Sequence, residues 1–239
     1  MICEILGVDR RHHRRIERSS AVLSDVTVAT GPRLRSASID FARLILPHFA
    51  ARRLRPREDL ITSLTRQMAA DELSLKEALS TVALLLIAGH ETTSNLILGT
   101  VLTLLRNPVD LERVRSDPSY LDTIIDAALS SDPPLPVATL RQAHSPIDLA
   151  DHRVNPGELL MVSLLAANQD LESDSRHLSF GAGIHYCLGA RLARTEVTAA
   201  VSHLINRYPT MSLATPPHTL RWRRSIVFRR LESLPVHLG

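Results

Sequence analysis

The chain has 239 residues, of which 44% are hydrophobic but only 3% aromatic, with a net charge of +3. That is ample material for a core, which must be largely aliphatic. The mild charge, with arginines clustered at Arg10-Arg11-His12-His13-Arg14-Arg15, Arg52–Arg57 and Arg221–Arg224 but no interleaved aromatics, reads as solvated faces rather than a nucleic-acid surface.

Residues 2–8 and 10–23 read as a helix start followed by a charged amphipathic helix, and 27–32, with Gly31 and Pro32, as a linker. Residues 36–55 carry Ile39, Phe41, Ala42, Leu44, Ile45, Phe49 and Ala50 at helical spacing, and 59–69 carry Leu60, Ile61, Leu64 and Met68. A long helix is expected over 74–106: Ser74-x-x-Glu77 is a capping box and Pro108 is the stop. About 32 residues would make it roughly 48 Å long. Its middle, 82–88, is apolar on all sides and should run through the core. Two shorter helices follow at 110–116 and 119–129, then the turn Asp132-Pro133-Pro134. Short strands are expected at 136–143 and 147–162, with a turn at Asn155-Pro156-Gly157. Residues 191–207 form a helix, and the remainder to Gly239 a terminal strand region. No internal repeat or low-complexity segment is present.

Cys3 and Cys187 give no disulfide framework, which suits a reducing cytoplasm. No signal peptide is read before Asp9-Arg10-Arg11, and the longest apolar run, 82–89, is too short for a bilayer, so a soluble protein is expected.

Two stretches carry chemistry. In 179–191, Gly181, Gly183 and Gly189 crowd three glycines into nine residues around Cys187, where a loop enters a helix. Amide N–H groups at such a helix start are expected to point at the sulfur and favour thiolate. A thiolate so placed is a soft ligand for one metal ion, and the bare loop leaves room for a flat cofactor. A reduced structural cysteine beside a glycine turn is the plainer alternative. In the long helix, Ala88-Gly89-His90-Glu91-Thr92-Thr93 places a residue without a side chain beside an acid and a hydroxyl that can pass protons. A threonine that merely bonds its own helix backbone is the alternative there.

Phe180-Gly181-x-Gly183-x-His185-x-Cys187-x-Gly189 resembles the cysteine-ligand loop of the cytochrome P-450 family, heme-thiolate monooxygenases of the bacterial soluble type, at every fixed position. The 88–93 segment resembles that family's oxygen-activating helix. The resemblance implies a mainly α fold with small β elements, built around the long central helix (about 75–106) and the helix after the cysteine loop. It also implies heme b (iron protoporphyrin IX) held by Cys187 as axial ligand. Phe180, Gly181, Gly189 and Gly89 would lie against the cofactor, Glu91 and Thr92 would relay protons, and Arg141 and His185 would meet the propionates. For Arg141 an ordinary salt bridge remains open. A ferredoxin-type electron donor and a small, apolar or secondary-metabolite substrate are implied in turn.

Three departures from the family pattern stand out. Aligned on the Asp132-Pro133-Pro134 turn, the family's Glu-x-x-Arg pair falls on Ala127 and Ser130. Only 171–176 separate Ala166-Ala167-Asn168-Gln169-Asp170 from His177, so most of the family's meander, which completes the brace behind the cysteine loop, is missing. Residues 1–8 resemble text well inside family sequences, so the chain reads as one partial domain. In that reading 1–73 are pocket-roof helices, 74–107 the oxygen-activating helix, 108–176 short helices and strands, and 177–239 the thiolate loop, its helix and terminal strands. Such a chain should expose apolar surface on its central helix and on the helix after Cys187, for a protein partner or self-association to cover. A heme-free auxiliary or binding protein, and an inactive remnant of a longer gene, are the alternative readings.

Overall fold

A computed structural model describes residues 1–24, 31–170, 176–223, 225 and 227–239. The chain divides into two compact units, Met1–Thr92 and Thr93–Gly239.

The first unit opens with α1 (Ile2–Leu6), which ends at Gly7 in the left-handed conformation, φ 80°. A Cβ there would stand 2.1 Å from Asp59 Oδ2, so only glycine fits. Then come α2 (Arg10–Ser24), α3 (Gly31–Leu54) and α4 (Leu60–Ala69). Asp59 caps α4 by accepting the Thr62 amide at 2.8 Å. The long helix α5 (Leu75–Arg106) starts on the expected capping box: Ser74 N–H donates to Glu77 Oε2 at 2.9 Å and Glu77 N–H to Ser74 Oγ at 3.2 Å. Leu6, Ile16, Phe41, Ile45, Phe49, Ile61, Val82 and Leu86 build an aliphatic core with few aromatics.

α3 starts at Gly31, well before residue 36, because a proline in a first turn needs no intrahelical N–H; Gly31 and Pro32 are helical, and the other linker positions, 27–30, lie outside the described residues. Arg52 is not on a solvated face: it is 5% exposed. Its Nε meets Asp59 Oδ2 at 2.5 Å and its terminal nitrogen donates to the Gly7 carbonyl at 2.6 Å, tying α3 to both neighbouring turns. The apolar middle of α5 is buried on one side only, with Val82 and Leu86 inside and Leu84 66% exposed. By length and mean hydropathy (1.3 over its most apolar window) α5 is long and apolar enough to cross a membrane, unlike the short run read from the sequence. Its buried residues Ala78, Val82 and Leu86 in one unit and Leu96 and Leu104 in the other pack as core.

The second unit packs the end of α5 with α6 (Pro108–Ser116), a 3₁₀ turn Pro118–Tyr120, α7 (Leu121–Ser131) and α9 (Ala190–Arg207). Leu104, Leu121, Ile125, Leu129, Val197 and Val201 are its centre. Among the described residues it also holds three antiparallel pairs: β1 (Arg141–Gln142) with β4 (Leu159–Leu160), β2 (Ile147–Leu149) with β3 (His152–Val154), and β5 (Ser212–Leu213) with β6 (Val236–His237). Residues 136–143 contribute only β1 and a single bridge, Val137 to Ser163. Residues 147–162 hold three strands, because a second turn at Ala150-Asp151 interrupts them, with Ala150 at φ 46°. A helix α8 (Leu164–Asp170), not expected from the sequence, begins where Ser163 Oγ accepts the Ala166 amide. Of the Arg221–Arg224 cluster, Arg224 lies outside the described residues.

Candidate functional site

The loop before α9 is set by its glycines and closed by its own backbone. Gly181 and Gly183 take φ 72° and 61°, the left-handed region that side chains avoid. At Gly181 a Cβ would stand 3.3 Å from the His185 carbonyl oxygen. The Gly181 amide donates to Leu178 O at 2.7 Å, and a 3₁₀ turn over Gly183–His185 follows. The Cys187 amide then donates back to Phe180 O at 2.8 Å, so the two ends of the loop are clasped at the cysteine itself. Gly189 is the N-cap of α9, and the Ala190 amide reaches Cys187 O at 3.3 Å.

The Cys187 thiol is free and exposed. Among the described residues no hydrogen bond reaches its sulfur, contrary to the expectation that helix-start amides would point at it. The reason is register: Cys187 precedes the first helical residue by three positions, and its carbonyl, not its sulfur, receives the amide of Ala190. Ile184 and Leu188 are 96% and 94% exposed, so the loop that carries the thiol also presents two large unburied apolar side chains. Tyr186, Cys187 and Leu188, with Arg191, Arg194 and Thr198 of α9, line an open concavity of about 920 Å³.

Behind the loop lies a polar network that the sequence did not disclose. Asn168 of α8 is 6% exposed; its Oδ1 accepts the Leu178 amide at 2.7 Å and its Nδ2 donates to Ser179 Oγ at 2.9 Å and to the Ser130 carbonyl at 3.3 Å. Ser179 Oγ donates to the Leu129 carbonyl at 2.6 Å. Beside it, the Asp126 carboxylate of α7 meets His177 Nε2 at 3.1 Å and the Arg194 guanidinium of α9. Burial pushes the His177 pKa below its usual value, against the opposing pull of Asp126. His177, Arg194 and Tyr186 surround the Phe180 ring, which packs on the core of this unit. Asp126, one residue before Ala127, and Asn168 tie α7 to this loop. Neither matches the family's Glu-x-x-Arg pattern, so the motif gave no signal for them. Of the shortened stretch that follows, residues 171–175 lie outside the described residues.

Phe180, Gly181, His185, Cys187 and Gly189 are thus gathered on one loop. His185 is exposed, with no hydrogen bond among the described residues. Arg141 on β1 is exposed and bonds Thr139 Oγ1 at 2.7 Å; among the described residues no carboxylate pairs with it. Gly89, Glu91 and Thr92 belong to the first unit. There α5 continues unbroken through Gly89, whose bare side faces Ile2 of α1: a Cβ would lie 3.4 Å from Ile2 Cγ1. Glu91 is 8% exposed. The Thr92 hydroxyl donates to the Ala88 carbonyl at 2.5 Å, the helix-backbone bond available to any mid-helix threonine.

Comparison with known proteins places this arrangement. The family model for cytochrome P450 matches residues 165–230, which contain α8, the cysteine loop and α9. Over its whole length the chain is 37% identical to cytochrome P450 107B1 of Saccharopolyspora erythraea and 34% identical to 6-deoxyerythronolide B hydroxylase of the same organism, covering 62% of each. It superposes with a TM-score of 0.93 and 34% identity on the cytochrome P450 CxnD, an enzyme for C–S bond formation in chuangxinmycin biosynthesis, covering 100% of this chain and 62% of that one. The chain spans about 62% of the length of these relatives. In sequence and in fold it belongs to the cytochrome P450 family.

Proposed function

We propose that this chain acts as a heme-thiolate monooxygenase, oxidising a small apolar or secondary-metabolite compound with dioxygen and with electrons from a ferredoxin-type donor in the cytoplasm. The observation that carries the reading is the Cys187 loop: an exposed free thiol that no hydrogen bond reaches among the described residues, on a loop that also carries exposed Ile184 and Leu188 and two glycines in the left-handed region. That donor set suits a flat, apolar cofactor with a thiolate-seeking iron, because cofactor contact would bury the apolar pair and occupy the sulfur. Exposed Arg141 and His185, neither paired with a carboxylate among the described residues, suit the two propionates. The residues present fit heme b.

In this reading Cys187 would hold the iron through its sulfur, and Phe180, Gly181 and Gly189 would give the cofactor its close contacts. The clasp from the Cys187 amide to Phe180 O fixes the sulfur's position, and Asn168 and Asp126 hold the clasp from behind. When bound, the heme would supply the activation of dioxygen with two electrons from the donor and two protons, one oxygen atom entering the substrate and the other leaving as water. Glu91 takes a proton at its carboxylate, and Thr92 turns its hydroxyl from the Ala88 carbonyl to pass that proton on. The activities for which two relatives are named, hydroxylation of 6-deoxyerythronolide B and C–S bond formation in chuangxinmycin biosynthesis, support a secondary-metabolite substrate.

The test is an absorption spectrum of the purified protein, reduced and then exposed to carbon monoxide. The red-shifted Soret band of thiolate ligation is expected in the wild type and absent in Cys187→Ala. A protein that takes up no heme on reconstitution would overturn the proposal and leave the heme-free auxiliary reading. A Cys187→Ala protein that kept the band would remove Cys187 from its role.

A further inference from the structure

Within the first unit, one ligand-type atom each of Asp9, His12 and His48 lies within 4.8 Å of the other two. Asp9 and His12 issue from the same turn at the start of α2, where the His12 amide donates to Asp9 O at 2.9 Å. His48 comes from α3 and is 5% exposed. The two imidazoles meet edge to face, centroids 5.6 Å apart at 89°. Among the described residues no hydrogen bond reaches either ring.

We propose that Asp9, His12 and His48 form a binding site for a divalent cation of the zinc type, clamping the start of α2 to α3. Two imidazoles and one carboxylate make a borderline donor set that favours Zn²⁺ over Mg²⁺ or Ca²⁺. Ligand bonds of about 2.0–2.1 Å place tetrahedral donors roughly 3.3 Å apart, so the three atoms must close by about 1.5 Å at most. Side-chain rotation of Asp9 and His12, both only partly buried, supplies that movement. The neighbouring cations do not block it. Arg52 is neutralised by Asp59 at 2.5 Å, and Arg11 touches Asp9 Oδ2 at 3.3 Å from a side chain 77% exposed, free to swing away. His13 is no fourth ligand, since its Nε2 lies 3.0 Å from the Val8 carbonyl. A water would complete the coordination.

The test is isothermal titration of Zn²⁺ into the full chain, with thermal unfolding followed in parallel. Wild type should bind one Zn²⁺ per chain and unfold at a higher temperature with Zn²⁺ but not with Mg²⁺. His48→Ala should weaken Zn²⁺ by more than the roughly 10–100-fold typical of losing an outer-shell partner. Because His48 is buried and its loss could disturb folding, His12→Ala, at a partly exposed position, must give the same loss with an unchanged far-UV spectrum. The chain has 11 histidines, so Zn²⁺ binding that survives both substitutions is adventitious and overturns the site, as does a wild type that binds none.

Discussion

Ser179 Oγ accepts a hydrogen bond from Asn168 Nδ2 at 2.9 Å and donates its own to the Leu129 carbonyl at 2.6 Å. The carbonyls of Leu129 and Ser130 are the orphan acceptors that every helix end leaves, here at the end of α7, and two side chains from the approach to the cysteine loop fill them. Asn168→Ala removes the donor to these groups and the acceptor of the Leu178 amide together. The expected cost is about 1–3 kcal/mol, because buried partners are left unsatisfied. Urea unfolding would measure it, and heme retention should fall with it, since the same residues hold the loop that carries Cys187.

The neighbouring cluster acts through charge instead. Burial lowers the His177 pKa and Asp126 pulls it back up. Asp126→Asn removes that pull, so the His177 pKa should fall further, which an NMR titration of the ring would follow. A lowered histidine pKa means that the unfolded chain binds more protons between the folded and unfolded values. Its contribution to stability is therefore complete above about pH 6.5 and is lost as pH falls below that. The Asp126 carboxylate is half exposed, so its ion pair with Arg194 should be worth no more than about 1 kcal/mol. An Asp126→Asn protein that lost much more stability than that would show that the cluster does more than brace.

Much of this architecture could be read from the chain alone. The α5 boundaries announced themselves through Ser74, Glu77 and Pro108, and the cysteine loop through its glycine spacing, because capping and left-handed backbone demand particular residue types. The turn at Ala150-Asp151 gave no such sign: left-handed Ala150 follows from strand pairing on either side, not from its own preference. Arg52 looked like one of several surface arginines, and only the fold brings Asp59 and the Gly7 carbonyl to it. Asn168 and Asp126 were hidden for a related reason. Their partners lie 10 to 68 residues away, so no local spacing marks them.

Gly181 and Gly183 make a matched pair of tests for the loop. Both have positive φ, so alanine at either should cost about 1–2 kcal/mol in backbone strain. A Cβ at Gly183 meets nothing within 4 Å, whereas at Gly181 it presses on the His185 carbonyl oxygen at 3.3 Å. Gly181→Ala should therefore shift the clasp under Cys187 and reduce the thiolate-type Soret band, while Gly183→Ala should lose stability with less spectral change. Equal spectral losses in the two proteins would show that strain alone, and not the contact with His185, disturbs the sulfur.

The Arg52–Asp59 pair should dominate the acid response of the first unit. The two side chains are 4% and 5% exposed. Burial alone would raise the Asp59 pKa, but hydrogen bonds from Arg52 and Thr62 outweigh it and hold the carboxyl below its usual range. A depressed carboxyl pKa stabilises the folded state above the unfolded value, about 3.9, and that stability drains away as pH falls below it. Arg52→Met keeps the apolar stem but leaves Asp59 charged and the Gly7 carbonyl unbonded. Breaking a buried pair from one side costs about 3–5 kcal/mol, so this variant should unfold far more easily at neutral pH. The loss should shrink as pH falls, starting above the unfolded carboxylate value because burial without Arg52 favours the neutral acid, until the carboxyl is protonated and the uncompensated charge disappears. Denaturant unfolding of both proteins as pH falls is the measurement, and an Arg52→Met penalty that stayed constant with pH would show that packing, not charge, holds Arg52 in place.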